Sequence, residues 1–200
     1  MCDVISGFEL AKRKGEKKAV AMVVDGHEVD LATKVPETVN VEFLSTGDTR
    51  ALNIYRHTTA HILAQALKEL WPSTQLAIGP VIENGFYYDI SSDHQITPED
   101  FAKIEQKMRE IIKANYKITR EEISKSDALA LFAGDKFKIE LISDLDVDTV
   151  SIYRHADKFV DLCRGPHLPS TGTATTHFKL MKIAGAYWRG DAKREMLQRI

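Results

Sequence analysis

Two short runs contain side chains capable of chemistry. Arg56-His57-Thr58-Thr59-Ala60-His61 sets two imidazoles four residues apart, and Asp161-Leu162-Cys163-Arg164-Gly165-Pro166-His167 sets a thiol and an imidazole at the same spacing. Nitrogen and sulfur groups in such pairs serve metal binding, nucleophilic attack or proton transfer. Taken singly, a cysteine is more often a small hydrophobe and a histidine a satisfied polar group. Four such groups in two matched pairs argue instead for one joint site.

The elements that must position these pairs follow from periodicity. The histidine pair falls in a helix expected from about Ala51 to Trp71 and closed by Pro72. At about 100° per residue, Tyr55, Thr59, Ile62, Leu63, Ala66 and Leu70 form one face. His57, His61, Ala64 and Lys68 form the other, so the imidazoles stand outside the obvious core stripe, either solvated or lining a cleft. The second pair follows a strand read over Phe159 to Leu162, which pairs around a turn at Asp157 with Ser151 to His155. Gly165-Pro166 forces a tight turn that can bring Cys163 and His167 back to one point.

The rest of the chain supplies scaffold. Residues 5 to 14 suit a short helix with Ser6 as cap and Gly15 as stop. Ala19 to Val24 and His27 to Leu31 flank Asp25-Gly26, a strong hairpin signal, and Val39 to Leu44 alternates as a half-buried strand. So few elements make a marginal core that must lean on its neighbour or lacks a part. Ser45 to Arg50 reads as a linker. Leu76 to Ile82 and Phe86 to Ile90 read as a hairpin around Glu83-Asn84-Gly85. Thr97-Pro98-Glu99-Asp100 opens a helix whose core stripe is Phe101, Ile104, Met108, Ile111 and Ile112. Tyr116 to Ile123 and Phe137 to Ile142 read as strands, with a short helix over Asp127 to Phe132 between them. The whole is an α+β pattern with a mainly antiparallel sheet.

Composition narrows the function classes. With 44% hydrophobic and 28% charged residues over 200 positions, the chain is ordinary globular material. The formal net charge of −2 gives no global basic field, so any nucleic-acid contact rests on local patches. One such patch is Lys179, Lys182, Arg189, Lys193, Arg194 and Arg199 around Tyr187 and Trp188. Only Cys2 and Cys163 occur, without a framework spacing, which suits a reducing compartment and leaves Cys163 a free thiol. No apolar run is long enough for a membrane span, and the first residues lack the pattern of a signal peptide, so a cytoplasmic location is expected.

Longer runs carry a resemblance. His57 to His61, Leu70-Trp71-Pro72, Ala77 to Asp89, Asp161 to His167, Phe178 to Lys182 and Gly185 to Asp191 resemble the N-terminal region of the threonyl-tRNA synthetase family. The likeness covers roughly residues 19 to 200. It implies a partial TGS-like, ubiquitin-like domain over 1-45 and a tRNA-editing domain over 46-200. The family continues past such a region into a class II catalytic core, so the chain by itself is expected not to aminoacylate.

The implied activity is hydrolysis of the ester of mischarged seryl-tRNA(Thr), with the tRNA acceptor end carrying serine and the remainder of the synthetase as partners. A threonine pocket cannot strongly exclude serine, because one methyl is worth only about 1–3 kcal/mol, and a second site completes a double sieve. The resemblance assigns His57, His61, Cys163 and His167 to that site, joined by Asp161 and by Lys138 from an expected strand. Water would attack the ester carbonyl with His57 or His167 as base. Lys138 would stabilise negative charge, and Asp161 would bind the seryl ammonium or orient a histidine. Cys163 is left as nucleophile, pocket wall or metal ligand. No cofactor is expected. The alternatives are a zinc-dependent alanyl-type hydrolase, with His57, His61, Cys163 and His167 as ligands, and a non-catalytic module that binds the tRNA acceptor end.

Overall fold

The computed structural model describes residues 4–200; Cys2 and the start of the chain lie outside the described residues. The expected α+β class holds, and every strand pair among the described residues is antiparallel.

The first strand, β1 (Val4–Ser6), runs into helix α1 (Gly7–Lys14). Ser6 and Glu9 form a reciprocal capping box, and Gly15 ends the helix in the left-handed conformation. Strands β2 (Ala19–Val24) and β3 (His27–Asp30) form the hairpin that Asp25-Gly26 predicts. Strand β4 (Lys34–Pro36) pairs with β1, a contact not foreseen from sequence, and β5 (Val41–Ser45) pairs with β2. These elements bury Ile5, Leu10, Met22, Leu31, Val35 and Val41 among themselves. Val20, Ala21 and Leu44 instead join the main core, so the small N-terminal core does lean on its neighbour.

Helix α2 (Thr49–Leu70) is capped by Asp48, whose carboxylate accepts from the Arg50 N–H. It is buried on nearly all sides. Ile62, Leu63 and Ala66 are inaccessible as the stripe predicts, but so are Leu67 and, on the opposite face, Ala64, and His61 is 3% exposed. Of the two readings of that face, solvated or lining a cleft, the solvated one does not hold along this stretch. Periodicity marks the more apolar face, but small residues such as Ala64 allow a second layer to close over the other.

Beyond α2, β6 (Gln75–Leu76) is followed by β7 (Val81–Ile82) and β8 (Gly85–Phe86), and then by β9 (Asp89–Ser91). The expected long hairpin is thus split. Only Val81–Ile82 pairs with Gly85–Phe86, while Leu76 pairs with Ile90 in another sheet. At the break, a Cβ on Gly79 would come 2.3 Å from the Tyr88 ring, so glycine lets that ring lie against the backbone.

Helix α3 (Phe101–Ala114) buries Ile104, Met108, Ile111 and Ile112 and packs along α2. Strand β10 (Ile118–Ser124), helix α4 (Lys125–Leu131) and helix α5 (Lys136–Ser143) come next. Helix α5 corrects the strand expected over Phe137 to Ile142. The Asp135 carboxylate accepts from the N–H groups of Phe137 and Lys138 and starts a helical turn. Short apolar runs of this kind satisfy both periods. Strands β11 (Thr149–His155) and β12 (Phe159–Leu162) complete the β10-β11-β12 sheet. Finally β13 (Ala184–Tyr187) and β14 (Met196–Arg199) pair in the order β13-β14-β9-β6.

Candidate active site

Strand β12 ends against the N-terminal half of α2, and the loop after it closes over the helix. The four paired side chains meet there: one donor atom from each of His57, His61, Cys163 and His167 lies within 4.8 Å of all the others. Cys163 Sγ sits 3.2 Å from His57 Nε2 and 3.3 Å from His167 Nε2. The His167 ring lies 4.2 Å, centroid to centroid, from each of the other two imidazoles.

Hydrogen-bond partners assign the protons. Thr58 Oγ1 accepts from the Leu168 N–H at 3.0 Å and lies 3.1 Å from His167 Nδ1. Among the described residues Nδ1 is the only acceptor in hydrogen-bond contact with Thr58 Oγ1, so the Thr58 O–H is assigned to Nδ1 and the remaining N–H of His167 to Nε2, facing the sulfur. The Pro166 carbonyl lies on the side of the His57 ring where it favours the protonated form. With the His167 N–H directed at the sulfur, the single proton of the thiol goes to His57 Nε2, so Cys163 donates to His57 and accepts from His167.

Burial keeps this cluster uncharged. It lowers His57, while the Pro166 bond and the Asp161 and Asp30 charges oppose the shift. It lowers His61 and His167 well below the usual imidazole range, with repulsion from neighbouring histidines adding to the effect. The Cys163 thiol is pushed up to about 12 by burial, against a pull from the Gly165 N–H. At neutral pH the site therefore holds a thiol and neutral imidazoles, and the His57 Nε2 lone pair is engaged by the thiol alone.

Beside the cluster lies a group of opposite character. Lys138 from α5 approaches Asp161 Oδ1 at 2.5 Å and Tyr88 Oη at 3.1 Å, and the Tyr88 O–H donates to Asp161 Oδ2. Burial raises Tyr88 well above the ordinary phenol range, with the Asp161 charge adding to it. Lys138 and Asp161 are 3% and 1% exposed, so each charge is compensated inside the protein. Asp161 Oδ2 also lies 3.7 Å from His61 Nε2, which links the two groups. Of the two roles expected of Asp161, binding a substrate ammonium or orienting a histidine, its neighbours suit the second: its oxygens face Lys138, Tyr88, His61 and the Leu162 N–H.

Sequence reasoning brought forward all four cluster residues together with Lys138 and Asp161. It missed Tyr88 and Thr58, although Thr58 lies beside His57 and Tyr88 lies within a quoted run. It also missed His155, whose Nδ1 is 2.7 Å from Gln65 Oε1 and which burial drops to about 3. The basic C-terminal patch resolves differently from expectation. Trp188 is buried against Phe137 and donates to Glu140, which also pairs with Arg189 and Arg194. Arg199 pairs with Asp89. A cavity of about 430 Å³ adjoins the thiol, lined by Arg120, Glu122, Leu141, Leu162, Cys163 and Arg164 among others.

Residues 150–200 match the family described as "Threonyl and Alanyl tRNA synthetase second additional domain". That stretch is therefore similar to a domain found in threonyl and alanyl tRNA synthetases. The chain is 52% identical over 198 residues to a threonine–tRNA ligase of Citrifermentans bemidjiense, covering 96% of this chain and 31% of that protein. A threonine–tRNA ligase of Rhodopseudomonas palustris is 49% identical over 201 residues, covering 98% and 30%. One from Gluconobacter oxydans is 51% identical over 187 residues, covering 92% and 29%. The chain is thus related, over nearly its whole length, to the N-terminal region of the threonyl-tRNA synthetases, and spans about a third of the length of these relatives.

Proposed function

We propose that this chain is the editing region of a threonyl-tRNA synthetase and hydrolyses the ester of seryl-tRNA(Thr). The observation that supports this most is the neutral His57 imidazole facing the centre of the cluster, its Nε2 lone pair engaged only by the Cys163 thiol. A thiol is a weak donor, so a water molecule can take its place at that nitrogen. The water oxygen attacks the ester carbonyl as its proton passes to Nε2. Collapse of the tetrahedral intermediate breaks the ester bond, and the imidazolium returns the proton to the departing ribose oxygen, giving serine and free tRNA.

The Nε2–H of His167 is the donor directed into the site centre and suits the developing oxyanion. Cys163 acts in this scheme as a protonated wall, since burial opposes the thiolate that nucleophilic attack requires. Lys138, Asp161 and Tyr88 hold His61 and the loop in place. The division at residue 45, with a TGS-like part before it, belongs to the same proposal. So do tRNA and the remainder of a synthetase as partners, and a cytoplasmic location.

A second reading rests on the donor set itself. Three imidazoles and one thiol whose donor atoms lie within 4.8 Å of one another fit zinc. His57, His61, Cys163 and His167 would hold the ion, which when bound would supply Lewis acidity. Four protein ligands, however, form the closed set typical of structural zinc.

The deciding experiment mixes the chain with seryl-tRNA(Thr), alanyl-tRNA and threonyl-tRNA(Thr) and follows deacylation. Selective loss of serine is expected. Tight tRNA binding without hydrolysis would leave a binding module, and preference for the alanine ester would move the assignment to alanyl-type editing.

A further inference from the structure

The loop that carries Cys163 and His167 is anchored from the far side by a residue of the N-terminal hairpin. Four of its backbone N–H groups have partners. The Cys163 N–H goes to the Ser151 carbonyl at 3.2 Å, and the Gly165 N–H to Cys163 Sγ at 3.3 Å. Pro166 has no N–H. The Leu168 N–H goes to Thr58. The His167 N–H goes to Asp30 Oδ1 at 2.7 Å, across 137 positions of sequence.

The second oxygen of Asp30 has an equally long-range partner. Tyr153 donates its O–H to Oδ2 at 2.6 Å. The Tyr153 ring lies 4.5 Å from the His167 ring, and its hydroxyl occupies the space beside Gly165, where a Cβ would fall 1.8 Å away. Gly165 also has a left-handed φ of +76°, so two constraints select glycine there. Asp30 is only 9% exposed. Burial raises its pKa while these two hydrogen bonds hold it down. Leaving a carboxylate there is unfavourable for the N-terminal core alone, because neither oxygen serves that core.

We propose that Asp30 is a positioning residue for the hydrolytic site, clamping the His167 backbone and the Tyr153 hydroxyl so that His167 and Cys163 face His57. The N-terminal segment thereby completes the site without touching the substrate. The kinetic part of this proposal rests on the hydrolase reading above; the geometric part does not.

The test uses the whole chain with Asp30→Ala, Asp30→Asn and Tyr153→Phe. Asparagine keeps the volume, accepts from His167 with its oxygen and donates to Tyr153 with its amide. For Asp30→Ala, kcat on seryl-tRNA(Thr) should fall by about tenfold to a hundredfold with KM within about twofold, as for a misplaced catalytic group. Asp30→Asn should restore kcat to within about threefold of the parent, and Tyr153→Phe should fall between them.

A second readout needs no tRNA. In a Cys2→Ser background, alkylation of Cys163 by iodoacetamide should accelerate at least about fivefold in Asp30→Ala and remain near the parent rate in Asp30→Asn. Parent-like alkylation in Asp30→Ala, or an Asp30→Asn variant as impaired as Asp30→Ala, overturns the proposal. If the parent chain hydrolyses no ester, the functional reading fails and alkylation alone decides the role of Asp30.

Discussion

The His57–His61–Cys163–His167 cluster and the Lys138–Asp161–Tyr88 group are neighbours with similar burial and opposite electrostatics. The first has no compensating charge among its own members, so burial drives imidazole pKa values down and the thiol up until all are neutral. The second pairs a cation with an anion at 2.5 Å and satisfies both with a phenol. Burial thus yields either neutral groups with lone pairs or a rigid ion pair, according to what stands opposite. Here the lone pairs suit chemistry and the ion pair suits support.

The largest effect that would test this contrast is on turnover. His57→Ala removes the proposed base and should lower the deacylation rate by about 10²–10⁴-fold with the fold intact. A rate within a few-fold of the parent, measured by release of serine from seryl-tRNA(Thr), would break the assignment of the cluster as the reactive half. Asp161→Ala should act mainly on stability, since it strands the Lys138 charge in the interior. A loss of about 3–5 kcal/mol is expected in urea unfolding. Changing Lys138 and Asp161 together to methionine and leucine should cost much less than that, which sharpens the role of the pair as support.

Acidity provides a smaller and graded test. The folded pKa values of His57, His61, His155 and His167 lie below the unfolded imidazole value. Below about pH 6.5 the unfolded chain therefore binds protons that the folded chain refuses. Stability should be full above that pH and fall as pH drops toward the depressed folded values, by up to about 1.4 kcal/mol per pH unit for each histidine. A urea midpoint that stays constant from pH 7 to 5 would contradict the buried neutral state. The Cys163 thiol works at the other end: its raised pKa favours the fold below the ordinary thiol range, and that contribution is lost as pH rises toward 12. The smallest expected effect is that of chelation. Dialysis against a chelator to negligible metal content should leave the hydrolysis rate unchanged, whereas loss with recovery on adding zinc would favour the metal-bound reading of the same four residues.

Much of this arrangement is legible locally. The Ser6 cap, the Gly15 stop and the Asp25-Gly26 hairpin are formed by residues adjacent in sequence, and each stands as read. The two spaced pairs also identify the cluster, because an i, i+4 spacing on a helix and a Gly-Pro turn each bring their own members together. Helix α5 is misread because Phe137 to Ile142 is too short to separate the periods, and its start depends on Asp135, which also accepts from the Leu76 N–H in a distant strand. Within the basic C-terminal patch, the pairing of Arg189, Arg194 and Arg199 is not legible because their partners, Glu140, Asp144 and Asp89, lie far away in sequence.

The sequence by itself determined which side chains can react and that they come in two spaced pairs. Only the tertiary structure decided their state. Whether an imidazole is charged, which nitrogen holds its proton and whether a thiol ionises depend on burial and on partners such as Thr58, Tyr88 and Asp30, which reach the site from other elements. Those energies arise from desolvation and from hydrogen bonds across long sequence separations, and neither is encoded in the spacing of the residues that bear the chemistry.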